Sequence, residues 1–148
     1  MGQGGRLDLD KINNPNSYSA WTAYGQSKLG NVLFTRELSR RLLARGIQNV
    51  HVNALHPGGV FTGPLEEYNF IVRFLAKLVL YSADDGAKTQ LYVATHEDIV
   101  TNNWHGRYFL PIPKLSETNA LGQDMDLASR LWDFSLEFIN KIIQDYSS

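Results

Sequence analysis

Tyr24 to Phe34 reads YGQSKLGNVLF, and how this stretch is taken decides the fold. Its apolar residues Leu29, Val32 and Leu33 recur at helical spacing, and Leu38 and Leu42 continue the series. The pattern predicts a helix from about Ala20 to Arg45, with Ser19 placed to cap its start. Arg40, Arg41 and Arg45 crowd the far end, where cations suit the helix dipole, and Gly46 stops it. The three arginines read as a solvated helix end. Within this helix Tyr24 and Lys28 stand at i and i+4, so they share one face.

Downstream, NVHVNALHPGG (residues 49–59) alternates apolar Val50, Val52 and Ala54 with polar residues and breaks at Pro57-Gly58-Gly59. That predicts a strand over Val50–Leu55 ending in a loop. A second helix is expected over about Glu67–Tyr81, where Phe70, Ile71, Phe74, Leu75, Leu78 and Val79 form one stripe. Ser82 and Asp85 have capping-box-like spacing before a third helix, about Asp84–Thr95. GRYFLPIP (106–113) reads as a brief strand closed by prolines, and a last helix is expected over about Asp124–Gln144. Upstream, residues 1–18 form a polar segment with NNPNS as a turn signal, so the domain is expected to occupy 19–148. The order helix, strand, helix, helix, strand, helix suits the C-terminal portion of an α/β doubly wound domain. Its two strands would be parallel and joined by a right-handed crossover.

Composition narrows the function classes. A chain of 148 residues with 43% hydrophobic content fits one soluble globular domain. A net charge of −1, with no basic patch interleaved with aromatics, gives no reason to expect nucleic acid. There is no cysteine, hence no disulfide or thiolate chemistry. The N-terminus lacks the apolar core of a signal peptide, and no apolar run approaches the roughly 20 residues of a membrane span. The chain is therefore expected to be intracellular, either cytoplasmic or membrane-associated. His51, His56, His96 and His105 lack metal-ligand spacing and read as structural or surface residues, so no metal is expected. The stripe of residues 70–79 reads as core or as a lid over a substrate pocket. An interfacial role stays open because Arg73 and Lys77 lie on its other face.

The chemistry centres on the tyrosine and lysine. A phenol is a poor acid at neutral pH, and a neighbouring ammonium favours its ionised form. A phenol so tuned passes a proton to or from a substrate oxygen. Two common residues four apart are weak testimony alone, but their surroundings are more specific. SYSAWTAYGQSKLGNVLFTRELSRRL (17–42) followed by VNALHPGGVFTG (52–63) resembles the short-chain dehydrogenase/reductase family, in wording closest to its retinol dehydrogenase-like branch. SADDGAKTQLYVAT (82–95) and GRYF (106–109) look like later segments of such enzymes.

The resemblance implies a Rossmann-type fold of which this chain is the C-terminal half, two strands with surrounding helices. It implies hydride transfer between NAD or NADP and an alcohol or carbonyl, with an apolar substrate such as a retinoid, steroid or lipid. Tyr24 matches the catalytic acid/base, and Lys28 the residue that favours the phenolate and holds the nicotinamide ribose. Pro57 and Gly58 match the loop against the nicotinamide, Val60 a backbone contact to the carboxamide, and Thr62 a hydroxyl reaching the carboxamide or pyrophosphate. Ligands in open α/β sheets bind beyond the carboxyl ends of strands, where residues 57–63 lie.

Other family parts have no counterpart. Gly2, Gly4 and Gly5 follow no strand and lead into non-helical RLDLDKINNP, so they read as tail rather than as the phosphate-binding loop. The catalytic serine has no matching position, because Ser17 and Ser19 stand too close to Tyr24. The chain is thus expected to be a truncated, poor enzyme. The alternative is a non-enzymatic module that forms homo- or hetero-dimers, which family members commonly do through the two helices expected at 20–45 and 84–95. Without a neighbouring strand, Val50–Leu55 would also present an open edge.

Overall fold

The computed structural model describes residues 7–59 and 83–147. These fall into two compact units, Met1–Val52 with Thr118–Ser148, and Asn53–Glu117. The helix expected at Glu67–Tyr81 and the Ser82 cap lie outside the described residues.

The first unit is built on helix α1, Ala20–Ala44. Ser19 sits at its N-cap in extended conformation, but its side chain makes no capping bond; its carbonyl accepts from the Ala23 amide at 2.8 Å. Gly46 ends the helix as expected. With φ at 75° it lets the Gly46 amide reach the Leu43 carbonyl (2.9 Å) and the Ile47 amide reach that of Leu42 (3.0 Å), closing the last turn. The C-terminal helix, α4 in the numbering used below, spans Met125–Ser147 and packs along α1. Asp124 caps it, its Oδ1 accepting from the Leu127 amide at 2.9 Å.

The core between the two helices is Leu33, Leu127 and Ala128, flanked by Leu29, Met125, Leu131 and Phe134. Leu7 and Leu9 are buried in the same cluster. The segment that reads as polar from its composition therefore contributes two core side chains. An Asp on either side of Leu9 hides the apolar pair from any periodicity count.

Gly30 marks the close approach of the helices. A Cβ built there would meet only Leu131 Cδ2, at 3.8 Å, which is ordinary van der Waals contact. A helix-interior glycine costs about 0.5–1 kcal/mol relative to alanine. Gly30→Ala should therefore raise stability by about that amount, a rise of about 1–4 °C in the thermal midpoint for a chain of this size. A lower midpoint would show that the contact has no room to give.

The helix end is not simply solvated. Glu37, with 0% exposure, is clamped by both neighbouring arginines. Arg40 donates from Nε and Nη2 at 2.8 and 2.7 Å, and Arg41 from Nε at 2.6 Å. Arg41 also reaches Asp133 on α4 at 3.3 Å and lies 4.8 Å from the centre of the Trp132 ring, which stacks on Phe34. A buried carboxylate needs such partners. The Arg40 hydrogen bonds outweigh the opposing push of burial, and with those of Arg41 they hold Glu37 below its ordinary value of 4.5.

Folding therefore depresses this pKa. The clamp's contribution is complete above the ordinary carboxylate range and is lost as pH falls through the lower folded-state value. The arginines are partly exposed, 53% and 30%, and rehydrate when the carboxylate is removed. Glu37→Gln should accordingly cost about 1–3 kcal/mol at neutral pH. Denaturant titration of wild type and variant across pH checks this, with the two converging in acid. A difference that persists in acid would assign the loss to packing instead.

The second unit holds a three-stranded sheet of order β1-β2-β3: Ala54–Leu55, Tyr108–Leu110 and Lys114–Ser116. β1 and β2 run parallel, as expected, with Ala54 opposite Tyr108 and Leu55 opposite Phe109. β3 adds an antiparallel strand that the prolines at 111 and 113 conceal in the sequence. The strand expected over Val50–Leu55 is only two residues long. Among the described residues β1 has a ladder partner on one side only, and Asn53 is drawn aside, donating to the Trp104 carbonyl (3.0 Å) and accepting from the Arg107 amide (2.8 Å). So short a strand offers little open edge.

Helix α2, Ala83–Thr95, matches the third expected helix and is followed by a four-residue helix α3, Asp98–Thr101. Phe109 is the buried centre of this unit, with Trp104 and Tyr92 edge-on at 5.5 and 6.3 Å. The Tyr92 hydroxyl donates to Asp98 at 2.6 Å, and this bond raises the phenol pKa.

Candidate active site

Tyr24 and Lys28 occupy the early turns of α1, on the face their spacing requires. Tyr24 is 59% exposed, and Lys28 is also exposed. The Lys28 ammonium lies 5.1 Å from the centre of the Tyr24 ring, a cation–π contact that places a positive charge beside the phenol. Trp21, one turn earlier, is exposed on the same face. Its i, i+3, i+7 relation to Tyr24 and Lys28 was readable in SAWTAYGQSK, but an apolar residue at helical spacing reads first as core. The face offers two hydrogen-bond donors, a phenol and an ammonium, beside an aromatic surface.

Pro57 and Gly58 lie in the other unit, immediately beyond the carboxyl end of β1. Gly58 has φ of 86°, a conformation that favours glycine, and its amide donates to His56 Nδ1 at 2.8 Å. That bond requires Nδ1 to be the unprotonated ring nitrogen. His56 therefore shapes the loop, a part not visible from sequence because nothing in HPGG announces which way the ring turns. Val60 and Thr62 lie outside the described residues. The structure thus groups Tyr24 with Lys28 in one unit and Pro57 with Gly58 in the other.

Taken one unit at a time, each group has chemistry suited to a nicotinamide cofactor. Lys28 has ammonium donors for sugar hydroxyls, and the Gly58 turn lets backbone approach a flat ring. The pyrophosphate end is different. Among the described residues no helix opens from a glycine-rich turn following a strand, the arrangement that binds it. Nor, among the described residues, do three His, Asp or Glu side chains group to hold a metal ion. No helix among them is long and apolar enough to cross a membrane.

No family model matches the chain. Similarity to individual proteins is clear, however. The chain is 34% identical over 137 residues to the chloroplastic short-chain dehydrogenase TIC 32 A of Brassica napus, covering 90% of this chain and 42% of the relative. It is 37% identical over 137 residues to human retinol dehydrogenase 14, covering 88% and 39%. To the polyprenol dehydrogenase of Danio rerio it is 33% identical over 140 residues, covering 92% and 42%. A solved structure of an uncharacterised protein from Mycobacterium paratuberculosis superposes with a TM-score of 0.63 at 29% identity, over 89% of this chain and 44% of that one. The chain spans about two-fifths of the length of these curated relatives. Over about nine-tenths of its length the chain is thus similar to short-chain dehydrogenases, retinol dehydrogenases among them, and its mixed α/β architecture is that of a partial Rossmann-type fold.

Proposed function

We propose that this chain carries the proton-transfer and nicotinamide-facing part of an NAD- or NADP-dependent oxidoreductase acting on an apolar alcohol or carbonyl, and that it is inactive alone. The observation that carries the proposal is the exposed Tyr24 with the Lys28 ammonium over its ring. In this reading Tyr24 donates its hydroxyl proton to the substrate oxygen during carbonyl reduction and takes it back in alcohol oxidation. Lys28 holds the ribose hydroxyls and keeps a positive charge beside the phenol. The Pro57–Gly58 turn, fixed by His56, supports the nicotinamide, with Val60 and Thr62 as its further contacts. The dinucleotide, when bound, supplies or accepts the hydride.

The names of the retinol and polyprenol dehydrogenases support an apolar alcohol as substrate class, and the exposed Trp21 beside Tyr24 fits such a molecule. The test joins this chain to the portion of human retinol dehydrogenase 14 outside the stretch it matches, then follows NADPH oxidation with retinaldehyde. Turnover that depends on Tyr24 is expected from the joined protein and none from the chain alone. A joined protein that folds and binds NADPH but shows no Tyr24-dependent turnover would refute the assignment.

A further inference from the structure

The Gly58 turn hangs on one side chain. The His56 amide donates to the Phe109 carbonyl at 2.8 Å, which carries the pairing of β1 with β2 one residue past Leu55 and ties His56 to the buried centre of its unit. Pro57 follows with no amide to donate, and it biases His56 towards extended backbone. The first donor beyond the sheet is therefore the Gly58 amide, and its acceptor among the described residues is His56 Nδ1, at 2.8 Å. A hydrogen-bonded relay thus runs from the sheet, through a half-buried imidazole, to a glycine with φ of 86°.

We propose that His56 is a pH-sensitive positioning residue, which holds the Gly58 turn in place for the nicotinamide while its ring is neutral and releases it when the ring is protonated. A neutral imidazole accepts through one nitrogen and donates through the other. Here Nδ1 accepts, so Nε2 carries the proton. A second proton can go only to Nδ1. It would set N–H against N–H, two donors with no acceptor between them, and the relay would break. Histidine changes charge between about pH 5 and 8, so the hold on the turn is complete at the alkaline end and is lost as pH falls. The titratable and charged groups on the elements packed against β1 are Arg107 and Tyr108 at β2, and Asp84, Asp85, Lys88 and Tyr92 on α2. Asp85 pairs with Lys88 and Tyr92 with Asp98, and among the described residues no carboxylate forms an ion pair with the His56 ring. The link from turn to cofactor rests on the function proposed above; the link from ring to turn does not.

Two variants separate these links. Asparagine places Oδ1 as many bonds from the backbone as Nδ1 and accepts from the amide two residues on, without titrating. Alanine removes the acceptor. Exchange of the Gly58 amide with water, measured by NMR on the whole chain and corrected for its intrinsic pH dependence, reads the first link. The wild type should show protection at about pH 8 that disappears at about pH 5.5. His56→Asn should be protected at both and His56→Ala at neither. Protection in the wild type that ignores pH, or that survives His56→Ala, would overturn the inference. Calorimetry of NADPH binding to the joined protein reads the second link. His56→Ala should weaken binding about two- to tenfold at about pH 8, the range that one net hydrogen bond sets, and His56→Asn should restore it. At about pH 5.5 the wild type should fall behind His56→Asn by a similar factor. Undiminished affinity in His56→Ala, or a wild type that keeps pace with His56→Asn in acid, would overturn the role towards the cofactor. Neither readout uses turnover, so a failure of the Tyr24 assignment would leave both standing.

Discussion

Tyr24→Phe should lower kcat of the joined protein by about 10²–10⁴-fold, the usual contribution of a positioned acid or base. Hydride addition to a carbonyl builds negative charge on its oxygen, which must be met by a proton donor at hydrogen-bond distance. Tyr24 presents its hydroxyl on an exposed helix face, and phenylalanine removes that one oxygen while keeping the ring under Lys28. The fold and cofactor affinity should therefore survive, so KM for NADPH should change little while kcat collapses. Lys28→Met should differ in kind. It loses the ammonium that lies over the ring and that the proposed function gives to the ribose, so it should raise KM for the dinucleotide as well as lower kcat. Lys28→Arg keeps a charge but not the compact ammonium and should restore function only in part. Steady-state kinetics of the three variants with retinaldehyde separate these outcomes. Near-wild-type kcat for Tyr24→Phe would return the pair to a surface contact.

The second large effect concerns the chain by itself. Dinucleotide affinity in Rossmann-type proteins leans on the pyrophosphate held at a helix N-terminus behind a glycine-rich turn. None of the described helices opens that way, and among the described residues the proposed cofactor contacts are Tyr24, Lys28 and the Pro57–Gly58 turn. Titration calorimetry should consequently show no NADH or NADPH binding at micromolar concentration. The joined protein should bind with at least about a hundredfold higher affinity, which corresponds to about 2.7 kcal/mol. A micromolar site on the chain alone would mean that it carries phosphate-binding groups of its own.

Much of the fold is legible in the sequence, and the divisions have physical causes. α1 and α4 repeat their apolar residues over many turns, and Gly46 and Asp124 punctuate them, so their limits follow closely. α3 and β3, with four and three residues, are too short for any period to emerge. Leu7 and Leu9 are core because of what folds back against them, not because of their own neighbours in sequence. The Glu37 clamp was unreadable because its meaning lies in burial. Spacing shows an acid near two arginines, whereas only packing shows that the acid is sealed from water. At the site, the wording around Tyr24 and Lys28 was enough to place both on one face. The His56 bond that sets Gly58 depends on a side-chain rotation that no local pattern encodes.

Under the proposed function the chain meets the nicotinamide end of the dinucleotide and not the adenine end. Saturation-transfer NMR with millimolar NADPH reads that contact even where affinity is weak. Saturation is predicted to pass to the nicotinamide protons and those of its ribose, to leave the adenine protons nearly untouched, and to disappear in Lys28→Met. Saturation centred on the adenine, or a nicotinamide signal indifferent to Lys28→Met, would contradict the assignment of Tyr24, Lys28 and the Gly58 turn to the nicotinamide side of the enzyme.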